Sequence, residues 1–207
     1  MTFITVEGIE GVGKSTCMLW IKDYLTQHKI DFQLTREPGG TAIAEQIRDI
    51  VLKQQTEILA DDTELLLMFA ARAQHIARVI RPALAAGKCV VSDRFTDASY
   101  AYQGGGRGID PERIKVLEQW VQGDLQPDVT ILLDAPIEIA LERMHQRRNL
   151  DRIEAEQRQF FYKVRQMYLA RASAAPKRFH IIDASQAMQQ VQQRVIAVLE
   201  TVLTHVD

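Results

Sequence analysis

Short runs of consecutive apolar residues alternate along this chain with longer stretches in which apolar residues recur every three or four positions. The short runs, at 2–7 (TFITVE), 32–35 (FQLT), 88–92 (KCVVS), 128–133 (DVTILL) and 179–183 (FHIID), read as β-strands. Several are nearly continuous, as expected for strands covered on both faces. The helical spacing covers 14–28, 42–54, 62–86, 94–102, 111–122, 136–147, 153–174 and 186–204. Some helix starts carry their own signals. Asp61 with Glu64 three residues on has the form of a capping box. Asp110 before Pro111 places a capping carboxylate ahead of a proline at the first helical position. Ser185 is placed to cap the last helix. The alternation predicts an α/β fold, a five-stranded parallel sheet with helices on both faces. Ligands of such sheets bind beyond the carboxyl ends of the strands.

Composition narrows this further. The chain has 207 residues, enough for one α/β domain spanning 1–207. Its net charge of −2 gives no field to attract a nucleic acid, so any phosphate site must be local. The first residues lack a basic segment, which speaks against a signal peptide. No apolar stretch approaches the ~18 residues that span a bilayer. Cys17 and Cys89 lack metal-ligand spacing and read as small core residues of a reducing compartment, so the expected location is cytoplasmic. None of the five histidines lies in a motif with ligand spacing.

The segment Gly8-Ile9-Glu10-Gly11-Val12-Gly13-Lys14-Ser15, continued by Thr16, fits G-x-x-x-x-G-K-[ST] in full. It follows a strand and opens a helix, as the motif requires. Gly8 and Gly13 free the backbone so that successive amides point inward, and the helix adds its positive end. Lys14 can reach β and γ phosphates, and Ser15 can offer its hydroxyl to Mg²⁺. The expected architecture is therefore a P-loop three-layer fold that binds a nucleoside triphosphate. The Asp-x-x-Gly and Asn-Lys-x-Asp elements of a GTPase are missing from the sequence. Asp93 ends the third strand and can hold Mg²⁺, or can simply cap; Arg94 beside it can clamp a phosphate, or lie on the surface.

Further runs follow other strands: Arg36-Glu37-Pro38-Gly39-Gly40-Thr41, then Ser99-Tyr100-Ala101-Tyr102-Gln103-Gly104-Gly105-Gly106-Arg107-Gly108, and Asp151-Arg152-Ile153-Glu154 after Arg143, Arg147 and Arg148. Together with the P-loop and Asp93-Arg94-Phe95, in this order and spacing, they resemble the bacterial thymidylate kinases. The resemblance runs from Phe3 to about Asp183.

The resemblance implies ATP and Mg²⁺ as cofactors, thymidine monophosphate (dTMP) as the acceptor and a short lid near 146–153. It puts Glu10 near the acceptor's 3′-hydroxyl, and Arg94, helped by Arg36, on the acceptor phosphate. Asp93 becomes the Mg²⁺-associated carboxylate. Arg72 becomes the residue that bonds thymine O4, with Ser99 and Gln103 also facing the pyrimidine. The family's stacking ring falls at Met68, with Phe69 one residue closer. Both can share the Arg72 face of a helix, and Phe69 is favoured because a flat ring stacks better on a flat base. Tyr102 matches a ring that crowds the sugar 2′ position, or is core. The Gly104–Gly106 run allows close backbone approach, or is a flexible turn. No basic residue precedes Lys14 in the loop, so the catalytic arginine is expected in the lid: Arg147 first, with Arg148 and Arg152 close by. Arg143 and the turn after the fifth strand are carried over as adenine contacts. A homodimer is implied, to which the helix around 62–86 can offer a face. Another small-molecule kinase, an ATP-dependent switch and a nucleotide-binding module without chemistry remain as rivals.

Overall fold

A computed structural model describes residues 2–53, 56–146 and 151–203. Five parallel strands form one sheet: β1 (Phe3–Glu7), β2 (Phe32–Arg36), β3 (Cys89–Asp93), β4 (Val129–Asp134) and β5 (Phe179–Asp183), in the order β2-β3-β1-β4-β5. β1 pairs with β3 (Phe3 opposite Val90) and with β4 (Ile4 opposite Val129). The strand order reverses beside β1, and the loop that follows β1 is the glycine-rich one.

Alternation along the strands feeds two cores. Ile4, Val6, Cys89, Val91 and Ile131 join the cluster that holds Cys17, Ile21 and Leu25 of α1 (Lys14–Gln27) and Val195 and Leu199 of α9 (Met188–Leu203). Phe3 and Val90, one residue out of phase, pack on the opposite face against Ile76, Ile80, Ala83 and Phe95. Both cysteines are buried free thiols, and desolvation pushes their pKa up to about 12 for Cys17 and about 11 for Cys89, which makes them poor nucleophiles.

The remaining helices are α2 (Ala42–Leu52), α3 (Asp61–His75), α4 (Arg81–Ala85), α5 (Thr96–Ser99), α6 (Pro111–Gln122), α7 (Ile137–His145) and α8 (Arg158–Ala174). Two π-helical segments, Ile76–Ile80 and Tyr100–Gly106, continue α3 and α5. Asp110 accepts from the amide of Glu112 as a cap of α6.

Three local expectations are corrected. Glu64 does not close a capping box: α3 starts after Ala60, and the Glu64 side chain turns inward to Gln103, Arg107 and Arg152. Ser185 caps nothing. Its hydroxyl donates to Asp183 at 2.5 Å, and α9 begins three residues later. The helix expected from 153 starts at Arg158, because Asp151 Oδ1 accepts from the amides of Ile153 and Glu154 (2.9 and 2.8 Å) and holds a turn there. The Gly104–Gly106 run is not a flexible turn but helical backbone on which α8 lies closely. A Cβ on Gly105 would come within 2.8 Å of the Lys163 carbonyl oxygen.

Candidate functional site

The carboxyl ends of β1, β2 and β3 open into a cleft of about 210 Å³. Glu10, Gly11, Gly13, Lys14 and Ser15 of the loop line one side, Asp93, Arg94, Ala98, Tyr102 and Gln103 the next. Met68 of α3, Arg48 of α2, Glu37, Pro38 and the segment Asp151–Glu154 complete the wall.

The loop has the shape its glycines allow. Gly13 has φ 94° where α1 begins, and at Gly8 (φ 136°) a Cβ would sit 2.4 Å from the Leu133 carbonyl oxygen. Lys14 folds back and donates to the carbonyls of Gly8 (3.0 Å) and Ile9 (2.8 Å). Burial, and the Arg94 charge beside it, push its ammonium down to about 8. Glu10 accepts from Arg94 at 2.5 Å and from the Tyr102 hydroxyl at 2.6 Å. Burial alone would raise the Glu10 carboxyl, but Arg94 and Lys14 hold it below the ordinary carboxylate value. Arg94 also donates to Gly8 O and to the Tyr168 hydroxyl, both at 3.1 Å, and occupies a left-handed conformation (φ 71°) rare for a side chain of this kind. Burial works against its charge; Tyr102, Glu10 and Tyr168 around it more than offset that, and its pKa is raised.

Arg72 is buried beside Glu37 and, like Ser99, stands behind the residues that line the cleft. Its Nε donates to Glu37 at 2.7 Å, and Nη2 donates to Phe95 O (3.1 Å) and to the Ser99 hydroxyl (3.0 Å). Glu37 also pairs with His75 Nδ1 at 2.9 Å, and His75 Nε2 meets Thr35 Oγ1 at 2.6 Å. Gln103 donates through Nε2 to Glu64. Three buried atoms here have no hydrogen-bond partner among the described residues: Arg72 Nη1, Gln103 Oε1 and Asp93 Oδ1. Buried polar atoms rarely stay unpaired, so each marks a place for a ligand atom. Asp93 Oδ1 with the Ser15 hydroxyl in the same cleft is a hard oxygen pair that suits Mg²⁺.

A separate groove of about 270 Å³ on the outer side of the loop joins Gly11, Val12, Gly13, Thr16, Trp20, Arg143, Ala184, Gln186 and Met188. Arg143 Nη1 donates to Ala184 O at 2.9 Å, so the arginine and the turn after β5 are held together beside the loop.

Several expected residues are placed elsewhere. Arg36 does not line the cleft; it is half exposed and pairs with Glu45 at 2.8 Å. Successive residues of an extended chain face opposite ways, so with Glu37 turned to Arg72 its neighbour must turn out. Arg36 instead borders an open groove of about 720 Å³ along β2, which among the described residues shares Ser15 and Asp93 with the cleft. Met68, not the favoured Phe69, reaches the cleft. Phe69 is packed with Leu65, Tyr100, Ile109 and Ile114, under the Arg72 guanidinium at 4.5 Å. Ser99 lies behind the wall and positions Arg72. Arg152 is turned away from Lys14: it donates to Val51 O at 2.7 Å and to Glu64 at 2.5 Å. Arg147 and Arg148 lie outside the described residues. Sequence reasoning missed Arg48, which donates to Pro38 O at 2.9 Å; it belongs to no motif, and only the seating of α2 brings it to the cleft. It also passed over Glu37, quoted within its motif but given no role.

The thymidylate kinase family model matches residues 6–195. A thymidylate kinase of Pseudomonas putida (strain F1) is 56% identical over 201 residues, covering 97% of this chain and 96% of that protein. One from Ectopseudomonas mendocina is 55% identical over 201 residues, with the same coverage. The crystal structure of thymidylate kinase from Ehrlichia chaffeensis superposes with a TM-score of 0.78 at 34% identity, covering 96% of this chain and 98% of the other. The chain belongs to the thymidylate kinase family, and it is a nucleoside monophosphate kinase of the dTMP kinase type.

Proposed function

We propose that this protein transfers the γ-phosphoryl of Mg·ATP to the 5′-phosphate of dTMP, giving dTDP and ADP, with the acceptor seated in the 210 Å³ cleft. The observation that carries the acceptor assignment is the pair of unpartnered buried atoms, a donor (Arg72 Nη1) and an acceptor (Gln103 Oε1). Thymine offers the complement, the O4 acceptor beside the N3–H donor. Cytosine offers the reverse and would leave both pairs unmatched. Met68 supports the base from the same wall, and the Tyr102 ring stands beside the sugar with its hydroxyl on Glu10.

Arg94 and Arg48 are the cations that face the acceptor phosphate, and Glu10 is the carboxylate that meets the sugar hydroxyl. Lys14 and the loop amides hold the β and γ phosphates, Ser15 and Asp93 hold Mg²⁺, and Arg143 with the 184–186 turn receives adenine. Bound there, the ion would neutralise phosphate charge. The acceptor is already an anion, so positioning and charge stabilisation carry the reaction without a strong general base. The segment 151–154 helps to exclude water. The arginine that stabilises the transferring group is assigned to Arg147 by the resemblance alone. Arg147→Ala is expected to lower kcat by roughly 100-fold or more with ATP binding retained.

ADP production from Mg·ATP against a panel of nucleoside monophosphates tests the reading. The expected order is dTMP, then deoxyuridine monophosphate, poorer because it lacks one methyl, worth about 1–3 kcal/mol, then the ribonucleotides and deoxycytidine monophosphate (dCMP). A flat panel with ATP still bound would remove the acceptor assignment.

The chain acts as one kinase unit, as a homodimer, and in the cytoplasm, where its free thiols stay reduced. Among the described residues, no helix is long and apolar enough to cross a membrane. The dimer face is assigned to α3 and α6, where Leu66, Val116 and Trp120 are exposed side by side with the Arg113–Asp62 ion pair at the rim.

A further inference from the structure

We infer that Glu64 is a positioning residue of the acceptor site: one buried carboxylate fixes which atom Gln103 shows to the acceptor base and ties Arg152 of the covering segment to the same wall. The inference rests on the reading that Gln103 faces the base. Glu64 sits in the first turn of α3 and is fully buried, far from any role at the helix start. Its Oε1 accepts from Gln103 Nε2 at 2.8 Å, and its Oε2 accepts from Arg152 Nη2 at 2.5 Å. Arg107, which ends the π-helical segment bearing Gln103, lies 3.3 Å away. Two of these donors come from segments of the cleft wall: Gln103, which lines it, and Arg152, which lies between the lining residues Asp151 and Ile153.

The chemistry of the contact decides an orientation that distance alone would leave open. A carboxylate only accepts, so the Gln103 amide must turn its NH₂ to Glu64 and its oxygen to the cleft. That oxygen is the unpartnered acceptor proposed for thymine N3–H. Burial would raise the Glu64 carboxyl, but the bonds from Gln103 and Arg152 and the Arg107 charge hold it ionised, below the ordinary carboxylate value. Nothing on Gln103 itself fixes its amide; the selectivity of the base wall is set one residue behind it. Arg152 takes the second oxygen and also reaches Val51 and Leu52 at the end of α2. The covering segment is thereby anchored to the carboxylate that orients the base reader.

The Glu64→Gln variant isolates this role. Arg152 cannot accept, so the new amide would keep its oxygen on Arg152 and turn its NH₂ to Gln103. Gln103 would then flip and offer the cleft a donor. On the full-length protein, kcat/KM for dTMP and for dCMP is measured, with the ratio of ATP hydrolysis to transfer and the thermal unfolding midpoint. The expected result is a dTMP/dCMP preference narrowed by about tenfold or more, from a raised KM for dTMP, together with a larger hydrolysed fraction of ATP. An unchanged preference would overturn the inference whatever the loss of stability, because a merely structural role lowers the active fraction and leaves the ratio alone. If Glu64→Gln does not fold, Arg152→Ala carries the test. It leaves Glu64 on Gln103, so the preference should hold while the hydrolysed fraction rises several-fold. An unchanged hydrolysed fraction, or a collapsed preference, would overturn the coupling. Wild-type turnover with dTMP is the control that separates this outcome from failure of the acceptor assignment.

Discussion

Lys14 is held against two backbone carbonyls, and burial, with the Arg94 charge beside it, pushes its ammonium down to about 8. The folded value lies below that of a free lysine, so above pH 8 the loop must take up a proton before it can bind a polyphosphate. ATP affinity is therefore expected to be steady below pH 8 and to fall as the pH rises beyond it, by at most about tenfold per unit. Equilibrium binding across pH 7–9.5 checks this, and Lys14→Ala should bind weakly with no such slope. The two arginines near β2 make a paired test. Arg48 faces the cleft, and Arg48→Ala should raise KM for dTMP by roughly 10–100-fold, the weight of a charge-assisted phosphate contact. Arg36 holds only a half-exposed pair with Glu45, worth at most about 1 kcal/mol, so Arg36→Ala should change KM little. Equal losses in both variants would undo the assignment.

Elements set the distances between these residues. The π-helical segment Tyr100–Gly106 lets α8 come close because its three glycines carry no side chain. A Cβ on Gly105 would meet the Lys163 carbonyl oxygen and Met167 Cβ, both at 2.8 Å, and backbone cannot rotate out of the way. Gly105→Ala should cost about 1–3 kcal/mol in chemical denaturation. It should also raise KM for dTMP, since the same segment carries Tyr102 and Gln103. α8 contributes to the site too: Tyr168 donates to Glu7 at 2.7 Å and accepts from Arg94, so the helix braces the arginine that lines the cleft.

For the molecule as a whole, the exposed stripe of Leu66, Val116 and Trp120 predicts self-association. Trp120→Glu together with Leu66→Glu should convert a dimer into a monomer in sedimentation equilibrium, while a wild-type monomer would refute the face. At this scale the shares of sequence and tertiary structure separate. Strand positions, the helical spacing, the P-loop and the family were legible in the sequence, because two-residue and 3.6-residue periodicities and a glycine-lysine-serine motif are local properties of the chain. Even the five strand limits lie within a residue of the expected ones. What local pattern could not supply was side-chain direction. Glu64 reads as a helix cap in one dimension but is the buried anchor of Gln103 and Arg152, residues 39 and 88 positions away. Phe69 reads as the flat ring for a flat base but packs inward, and Met68 takes the wall. Arg36 carries the motif, yet strand alternation turns it out, and Arg48 of α2 lines the cleft. For Glu64 the deciding partners come from distant segments, and only the closed fold brings that buried carboxylate and its donors to within hydrogen-bond reach.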